Sequence, residues 1–405
     1  MVDTDLEANN MRLVSHNDLG GHGNGGEGIA LHVGNGRRTL YIAHERAPKN
    51  FTAVDVTDPA ATRVVAQVDL PHDNVRSNSL SIAGDLMAVA YQVWERGLSP
   101  AGMELFDISD PENARSVGYF DTSGPQSQGA HYVWFVDGEY AYLSTSMPDF
   151  TPRNELDDQI PVIVDVRNPS NPTEVGRWWL PGTGVDDSDA PPERHEKWDF
   201  GFRAHNVNVY PQRPDRAYVG YLDGGAIILD IADKGRPRMI SRVDYHPPMP
   251  GFTHTVLPLF DRGLMAVTDE AVTDGCEDFP KMLWFMDMSH EANPIIVSTA
   301  PLPPLAEYCG RGGRFGAHNI HENIPVAASW QSEEIIIGTF FNGGVRAFDI
   351  SNPFQPKEIG SFVPSAPAGS SVDAIQMNDV YVDENGLIYA IDRFGGGLYV
   401  IESAF

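Results

Sequence analysis

A hydrophobic strand that ends on an acidic residue returns seven times along these 405 residues. It reads FTAVDVTDP at Asp55, MELFDISDP at Asp107, PVIVDVRNP at Asp165 and AIILDIADKGRP at Asp230, then LWFMDMSHEANP at Asp287, VRAFDISNP at Asp349 and GLYVIES at Glu402. Successive landmarks lie 52, 58, 65, 57, 62 and 53 residues apart. A self-similar unit of roughly 50 residues cannot bury its own core and must stack on its neighbours, which points to a propeller or an array.

Each unit holds about four apolar stretches separated by turn residues. In the second, SNSLSIAG, LMAVAYQ, GMELFDI and RSVGYFD follow one another, the pattern of a four-stranded antiparallel sheet. The fold class is therefore all-β: one seven-bladed β-propeller over residues 1–405. Its blades fall at about 27–75, 76–124, 128–185, 202–251, 252–304, 312–367 and 371–405. The last unit ends at its third strand, whereas Met11–His16 reads like the fourth strands elsewhere. The 1–19 lead-in is thus predicted to complete the last blade and remove the open edge of the ring.

Three segments, LFDISDP…VGYFDT, VIVDVRNPSNP…VGRWW and AFDISNPFQP…IGSF, carry a resemblance to the LVIVD-repeat family of β-propellers, and the resemblance extends over nearly the whole chain. It implies the fold and little about activity. Members of that family often sit at the cell surface. Here the first residues, MVDTDLEANN, are acidic and polar without an apolar core, and no later run approaches the length of a membrane span. The expectation is a soluble, cytoplasmic protein. A net charge of −28 repels nucleic acid and anionic lipid, so neither is expected as a partner; a small molecule is.

The feature that points to chemistry is a recurring histidine. Aligning the first strands of the seven units on their apolar alternation places Ile29, Asn78, His131, His205, His254, His318 and Asn378 at one level. In a propeller those positions meet on the central axis. With 13 histidines in 405 residues, four at seven equivalent positions is far from accidental. The bland reading is that a narrow channel needs polar side chains, and that His serves there as Asn78 and Asn378 do. The sharper reading is a divalent metal ion held by His131, His205, His254 and His318. Imidazole suits Fe, Mn, Zn, Cu and Ni. An octahedral ion with four protein ligands keeps two positions for water, dioxygen or substrate.

Four neutral imidazoles leave the charge of the ion uncompensated, so nearby carboxylates are required. The second strands end at the same mouth, and their last residues include His44-Glu45, Asp269-Glu270 and Asp392-Arg393. Glu270 is expected to accept a ring N–H from a ligand histidine; Glu307, Glu322 and Glu95 are further candidates. Glu270, His44 and Tyr221 are the residues expected to move protons. This constellation resembles the carotenoid cleavage oxygenases, whose seven-bladed propeller holds Fe(II) by four histidines with Glu behind them. The likeness lies in the ligand set and not in the surrounding sequence. It implies Fe(II) as first choice, with Zn or Mn as alternatives, and an oxidative activity. The selenium-binding methanethiol oxidases are another propeller comparison, but no cysteine motif of theirs occurs here.

Insertions at 92–103, 146–160, 185–202 and 270–281 are long for a compact fold and are expected to form a lid. Aromatic residues crowd the same segments. Trp198, Phe202, Phe315 and Phe341, together with His22 and Arg393, are expected to line a substrate pocket, although packing explains any one aromatic about as well. Gly21-His22-Gly23-Asn24-Gly25-Gly26 fits G-x-G-x-x-G, but no βαβ unit surrounds it and a dinucleotide site is excluded. His318 and His321 lie three apart on a strand and point to opposite faces, so His321 is read as a packing residue. Cys276 and Cys309 both fall on the metal side; reduced thiols are the expectation for a cytoplasmic chain and a disulfide is the alternative.

Three functions remain open from the sequence. The first is a metal-dependent oxygenase acting on an apolar or aromatic small molecule. The second is a non-redox metal-dependent lyase or hydrolase, and the third a binding or scaffold propeller with structural histidines.

Overall fold

The computed structural model describes residues 7–368 and 370–405; the first six residues of the lead-in and residue 369 lie outside it. Seven four-stranded antiparallel sheets follow one another along the chain. Blade one is Gly25–Gly34, Arg37–His44, Lys49–Asp55 and Arg63–Asp69. Blade two runs from Val75–Ala83 to Arg115–Asp121, blade three from Ala130–Trp134 to Thr173–Arg177, blade four from Val207–Tyr210 to Arg238–Val243 and blade five from Thr253–Leu259 to Ile295–Thr299. Strands Ile335–Thr339, Val345–Asp349 and Lys357–Val363 belong to blade six; Met377–Val382, Ile388–Asp392 and Leu398–Ser403 belong to blade seven.

The acidic residue of the repeat now has a local cause. Asp55, Asp107, Asp165, Asp230, Asp287 and Asp349 each accept, through Oδ1, the backbone N–H two residues on, at 2.8–3.0 Å. Such Asx turns end the third strand and aim the chain at the fourth. Glu402 takes a different partner. Its carboxylate instead meets Arg12 at 2.6 Å.

Ring closure goes further than the sequence indicated. Met11–Asn17 pairs antiparallel with Leu398–Ser403 and completes blade seven. Glu7–Asn9 pairs with Lys357–Val363 and adds an outer strand to blade six. Asn10, in the left-handed region at φ 52°, turns the chain between the two. One continuous segment thereby closes the edges of two adjacent blades. The inner position of blade six is filled by an irregular stretch, where His318 N donates to Thr339 O at 3.0 Å and His321 N to Ile337 O at 2.8 Å.

Side chains from neighbouring blades interleave between the sheets. Tyr41 and Phe51 of blade one pack with Met87 and Phe106 of blade two, the rings of Phe51 and Phe106 meeting edge to face at 5.2 Å. Burying each such ring stabilises the blade contact by about 1.5–3 kcal/mol.

Candidate metal centre

The inner strands break register where they approach the axis. The ladder slips between Gly25 and Ile29, Arg76 and Ser79, Ala130 and Tyr132, Thr253 and Thr255, and Met377 and Asp379. Within those slips stand Glu27, Asn78, His131, His254 and Asn378. A bulged residue is released from pairing and its side chain is re-aimed, here into the channel. In blade one the residue at this level is Glu27 and not Ile29. Strict alternation misplaced it because the bulge adds residues on one strand only. The cue was present in the sequence: a lone Glu framed by Gly25, Gly26 and Gly28 at the start of an apolar strand is a bulge signal. Gly28 is required there, since a Cβ would stand 2.3 Å from Leu80 N of the next blade.

The four histidines converge through their Nε2 atoms. His131 and His205 Nε2 are 2.8 Å apart. Glu27 Oε2 is 3.5 Å from His131, 3.6 Å from His205 and 3.6 Å from His254, and Glu27 Oε1 is 3.8 Å from His318. Glu270 faces the same point, at 3.9 Å from His205 Nε2 and 3.7 Å from His318 Nε2. Neighbouring donors on an octahedral ion with imidazole bonds near 2.1 Å stand about 3.0 Å apart. The separations of 2.8–3.9 Å bracket that spacing, and the buried His/Glu cluster can hold a metal ion.

Every outward ring nitrogen is already engaged. His131 Nδ1 lies 2.9 Å from Gln92 Oε1, His205 Nδ1 2.9 Å from Asn206 Oδ1, His254 Nδ1 2.7 Å from Thr255 Oγ1 and His318 Nδ1 2.7 Å from Asn378 O. Amide, hydroxyl and carbonyl oxygens accept the Nδ1–H and so direct the Nε2 lone pairs inward. Two such lone pairs facing one another across 2.8 Å repel unless a metal ion or a ring proton lies between them. Among the described residues, buried His254 Nε2, His318 Nε2 and Glu27 Oε2 have no hydrogen-bond partner. Buried polar atoms left unpaired are costly, and a metal ion satisfies all three at once.

Electrostatics favour the ligand forms. Burial pushes His131, His205 and His318 below the usual imidazole range, with neighbouring His254 adding to the effect on the last two. Burial also pushes the Glu27 carboxyl upward, but the close approach of the His131, His254 and His205 rings outweighs this and holds it well below the usual carboxylate range. Neutral imidazoles beside an ionised carboxylate are the states in which these groups bind a metal.

Three expectations need correction. Glu270 does not accept a ring N–H: its oxygens face the Nε2 side, because the Nδ1 atoms turn back onto strands that already satisfy them. Glu270 itself is held by Arg314 Nη1 at 2.9 Å. His44 is fully buried away from the cluster, with Nδ1 3.2 Å from Asn24 Oδ1 and Nε2 2.8 Å from Thr52 Oγ1. Burial, reinforced by the charge of nearby His22, pushes its pKa down to about 3. Tyr221 is buried against Trp178, and its hydroxyl accepts from Leu180 N at 3.1 Å, so it cannot reach the centre.

The expected pocket residues divide in the same way. Phe341 stacks on His318 with centroids 4.5 Å apart, and Arg393 lies 5.9 Å from the Phe341 ring. Trp198 stacks on Phe200, which meets Phe252, which in turn lies 6.2 Å from His205. Phe202 is a core residue clamped between Arg194 and Arg242, and Phe315 is buried against Tyr308. His22 stands near His44 instead of the cluster. His321 turns away from the axis and binds Trp330 O through Nε2 at 2.9 Å. Of the further carboxylates, Glu322 lies deeper in the channel and accepts from Asn206 Nδ2 at 2.7 Å, bracing the residue that holds His205. Glu307 is exposed and pairs with Arg311.

The insertions are laced across this end of the ring. Arg96 donates to Asp158 at 2.7 Å, joining 92–103 to 146–160, and Arg153 donates to Asp189 O at 3.0 Å, joining the latter to 185–202. Cys276 and Cys309 form a disulfide, contrary to the expected free thiols, and tie the 270–281 insertion to the short helix Leu305–Cys309. Among the described residues no helix is long and apolar enough to cross a membrane.

The LVIVD repeat model matches residues 157–179 and 205–245, in blades three and four. No curated protein matches the chain. Among solved structures, the β-propeller domain of Cps50 (Swd1) from Myceliophteria thermophila is similar over 93% of this chain and 96% of its own, with a TM-score of 0.54 at 14% identity. The periplasmic gluconolactonase PpgL of Pseudomonas aeruginosa is similar over 88% of this chain and 93% of its own, with a TM-score of 0.55 at 12% identity. At such identities the likeness is one of fold alone.

Proposed function

We propose that this propeller is a metal-dependent oxygenase built on His131, His205, His254 and His318. The observation that carries the reading is the gathering of four Nε2 atoms within 3.5–3.8 Å of Glu27, with Glu270 within 3.9 Å of two of them. Zn(II) sites take four ligands in a tetrahedron, whereas nitrogen and oxygen donors in this number suit an octahedral Fe(II) or Mn(II). When bound, Fe(II) supplies one-electron chemistry toward dioxygen.

The protein's own groups divide the remaining work. Glu27 sits within 3.8 Å of all four ligand nitrogens and offsets the charge of the ion. Glu270, held by Arg314 at the outer side of the cluster, is placed to move aside for substrate or to exchange a proton with it. Phe341 and Phe252 cover two of the rings and exclude water from them. A non-redox lyase or hydrolase is the second reading, favoured by the placement of Glu270 as an acid or base beside a Lewis acid. A scaffold role would leave the unpaired Nε2 atoms without a purpose, and the fold itself does not discriminate.

The test is to load the untagged protein with Fe(II) or Zn(II) in separate preparations. The oxygenase reading expects a nitric oxide adduct visible by electron paramagnetic resonance in the Fe(II) protein, and substrate-dependent oxygen uptake that Zn(II) does not support. Turnover by the Zn(II) protein without oxygen uptake would replace it with the second reading.

A further inference from the structure

We infer that the substrate entering this centre is an anion, an aromatic or unsaturated carboxylate whose charged group docks in a collar of arginines. The inference rests on the metal-centre reading but not on its redox chemistry.

The chain has only 28 basic residues against 56 acidic ones, yet four arginines gather at the imidazole end of the channel. Arg76 comes from blade two, Arg203 from the lead into blade four, Arg314 from the lead into blade six and Arg393 from blade seven. Arg76 Nη2 is 3.3 Å from His131 Nδ1, and Arg314 binds Glu270. The charge of Arg393 bears on Glu27, Glu270 and His318. The carboxylates available to them are few. Arg76 and Arg393 share a single oxygen, Glu45 Oε1, at 2.6 and 2.7 Å. Arg203 lies 3.8 Å from Asp158, which is already bonded to Arg96 at 2.7 Å.

Arg393 is the most telling member. Its side chain is 9% exposed and that of Glu45 is 4%. Among the described residues, its buried Nε and Nη1 have no hydrogen-bond partner, and neither does Nε of Arg203. A guanidinium withdrawn from water with two donor nitrogens unused is expensive, and an anion is what its planar fork is shaped to accept. A divalent ion below the collar would leave positive charge in excess of Glu27, Glu45, Glu270 and Asp158. The guanidiniums are also fixed in place: Arg76 lies over Trp94 at 4.7 Å, Arg314 over Phe341 at 5.6 Å and Arg393 between Phe341 and Phe394 at 5.9 Å from each. These rings give an apolar wall beside the charged group, which selects an unsaturated or aromatic body over a purely polar anion.

Cinnamate and its neutral isostere cinnamyl alcohol serve as probes, titrated calorimetrically into Zn(II)-loaded protein so that no oxidation is involved. Cinnamate should bind at least about tenfold more tightly than the alcohol, and the preference should shrink with added salt. Arg393→Met should reduce cinnamate affinity about tenfold or more while metal content stays stoichiometric, and Arg314→Gln provides a second variant should the first fail to fold. Equal binding of the two probes to the parent protein overturns the proposal. So does undiminished cinnamate binding in both folded variants, which would mean that the metal alone holds the anion. Failure of the oxygenase reading would appear elsewhere, in oxygen uptake, and leaves this binding result unaffected.

Discussion

The two ends of the central channel are built from different groups. At the imidazole end, guanidiniums stand over a nearly closed cluster and the insertions are tied down above it. Beyond Glu27 the channel opens into a cavity of about 250 Å³ that reaches the turns at Val33, Asp85 and Ala327. Its polar lining includes Ser79, Ser81, Tyr132, Glu322 and Asp379, and no arginine. Burial pushes the carboxyls of Glu322 and Asp379 upward, that of Asp379 strongly. Glu27 is the boundary, facing the imidazoles on one side and the cavity on the other. The same repeat thus makes an anion-accepting end and an acidic end by changing a few residues at the two termini of its inner strands.

The sharpest way to break this contrast is at the ligands. Changing His131, His205, His254 or His318 singly to Ala should lower metal affinity by more than about 100-fold, beyond the usual effect of an outer partner. Far-ultraviolet circular dichroism should not change, because strand pairing does not depend on these rings. Next in size are the groups that orient them. Gln92→Leu and Thr255→Val remove the acceptors of His131 and His254 Nδ1, and each should cost about 10–100-fold in metal affinity, measured by competition with a chelator.

The disulfide belongs to the arginine end, and its effect should stay there. Closing a loop between residues 33 apart in sequence is worth about 3–4 kcal/mol in the chain-entropy estimate. Replacing Cys276 and Cys309 by Ser should lower stability by at most that amount, and faster hydrogen exchange should be confined to residues around 270–281 and 305–314. The smallest effect is expected in the cavity. A carboxyl whose folded pKa is raised favours the folded state at pH below its unfolded value near 4, and that contribution is lost as pH rises through the folded value. Asp379→Asn removes this dependence. As pH rises above the unfolded value near 4 the parent should therefore lose stability relative to the variant, by at most about 1.4 kcal/mol per pH unit in urea titrations, with metal content unchanged.

Much of the imidazole end could be read from the chain. The recurring Asp and its turn set the blade period, and four histidines stood out at one level of it. What escaped was whatever depended on a bulge or on another blade. Glu27 was hidden because alternation counts residues and a bulge adds uncounted ones. The outer partners of the histidines are a glutamine from blade two, a strand neighbour, a threonine hydroxyl and a main-chain carbonyl. None is a residue type that signals metal chemistry in a sequence. His44 and Tyr221 were drawn in because strand ends share a mouth, but a buried side chain beside its own strand partners stays with them. Glu7–Asn9 is too short and too polar to show a period at all.

The central claim is that His131, His205, His254 and His318, with Glu27 beside them, hold a metal ion. X-ray absorption at the metal edge of protein purified without a polyhistidine tag tests it most directly. One first-row ion per chain is expected, with five or six nitrogen and oxygen neighbours at roughly 2.0–2.2 Å and the outer-shell scattering of four imidazoles. Protein that binds no stoichiometric metal after incubation with Fe(II), Mn(II) or Zn(II), or an ion whose spectrum shows no imidazole scattering, would contradict it.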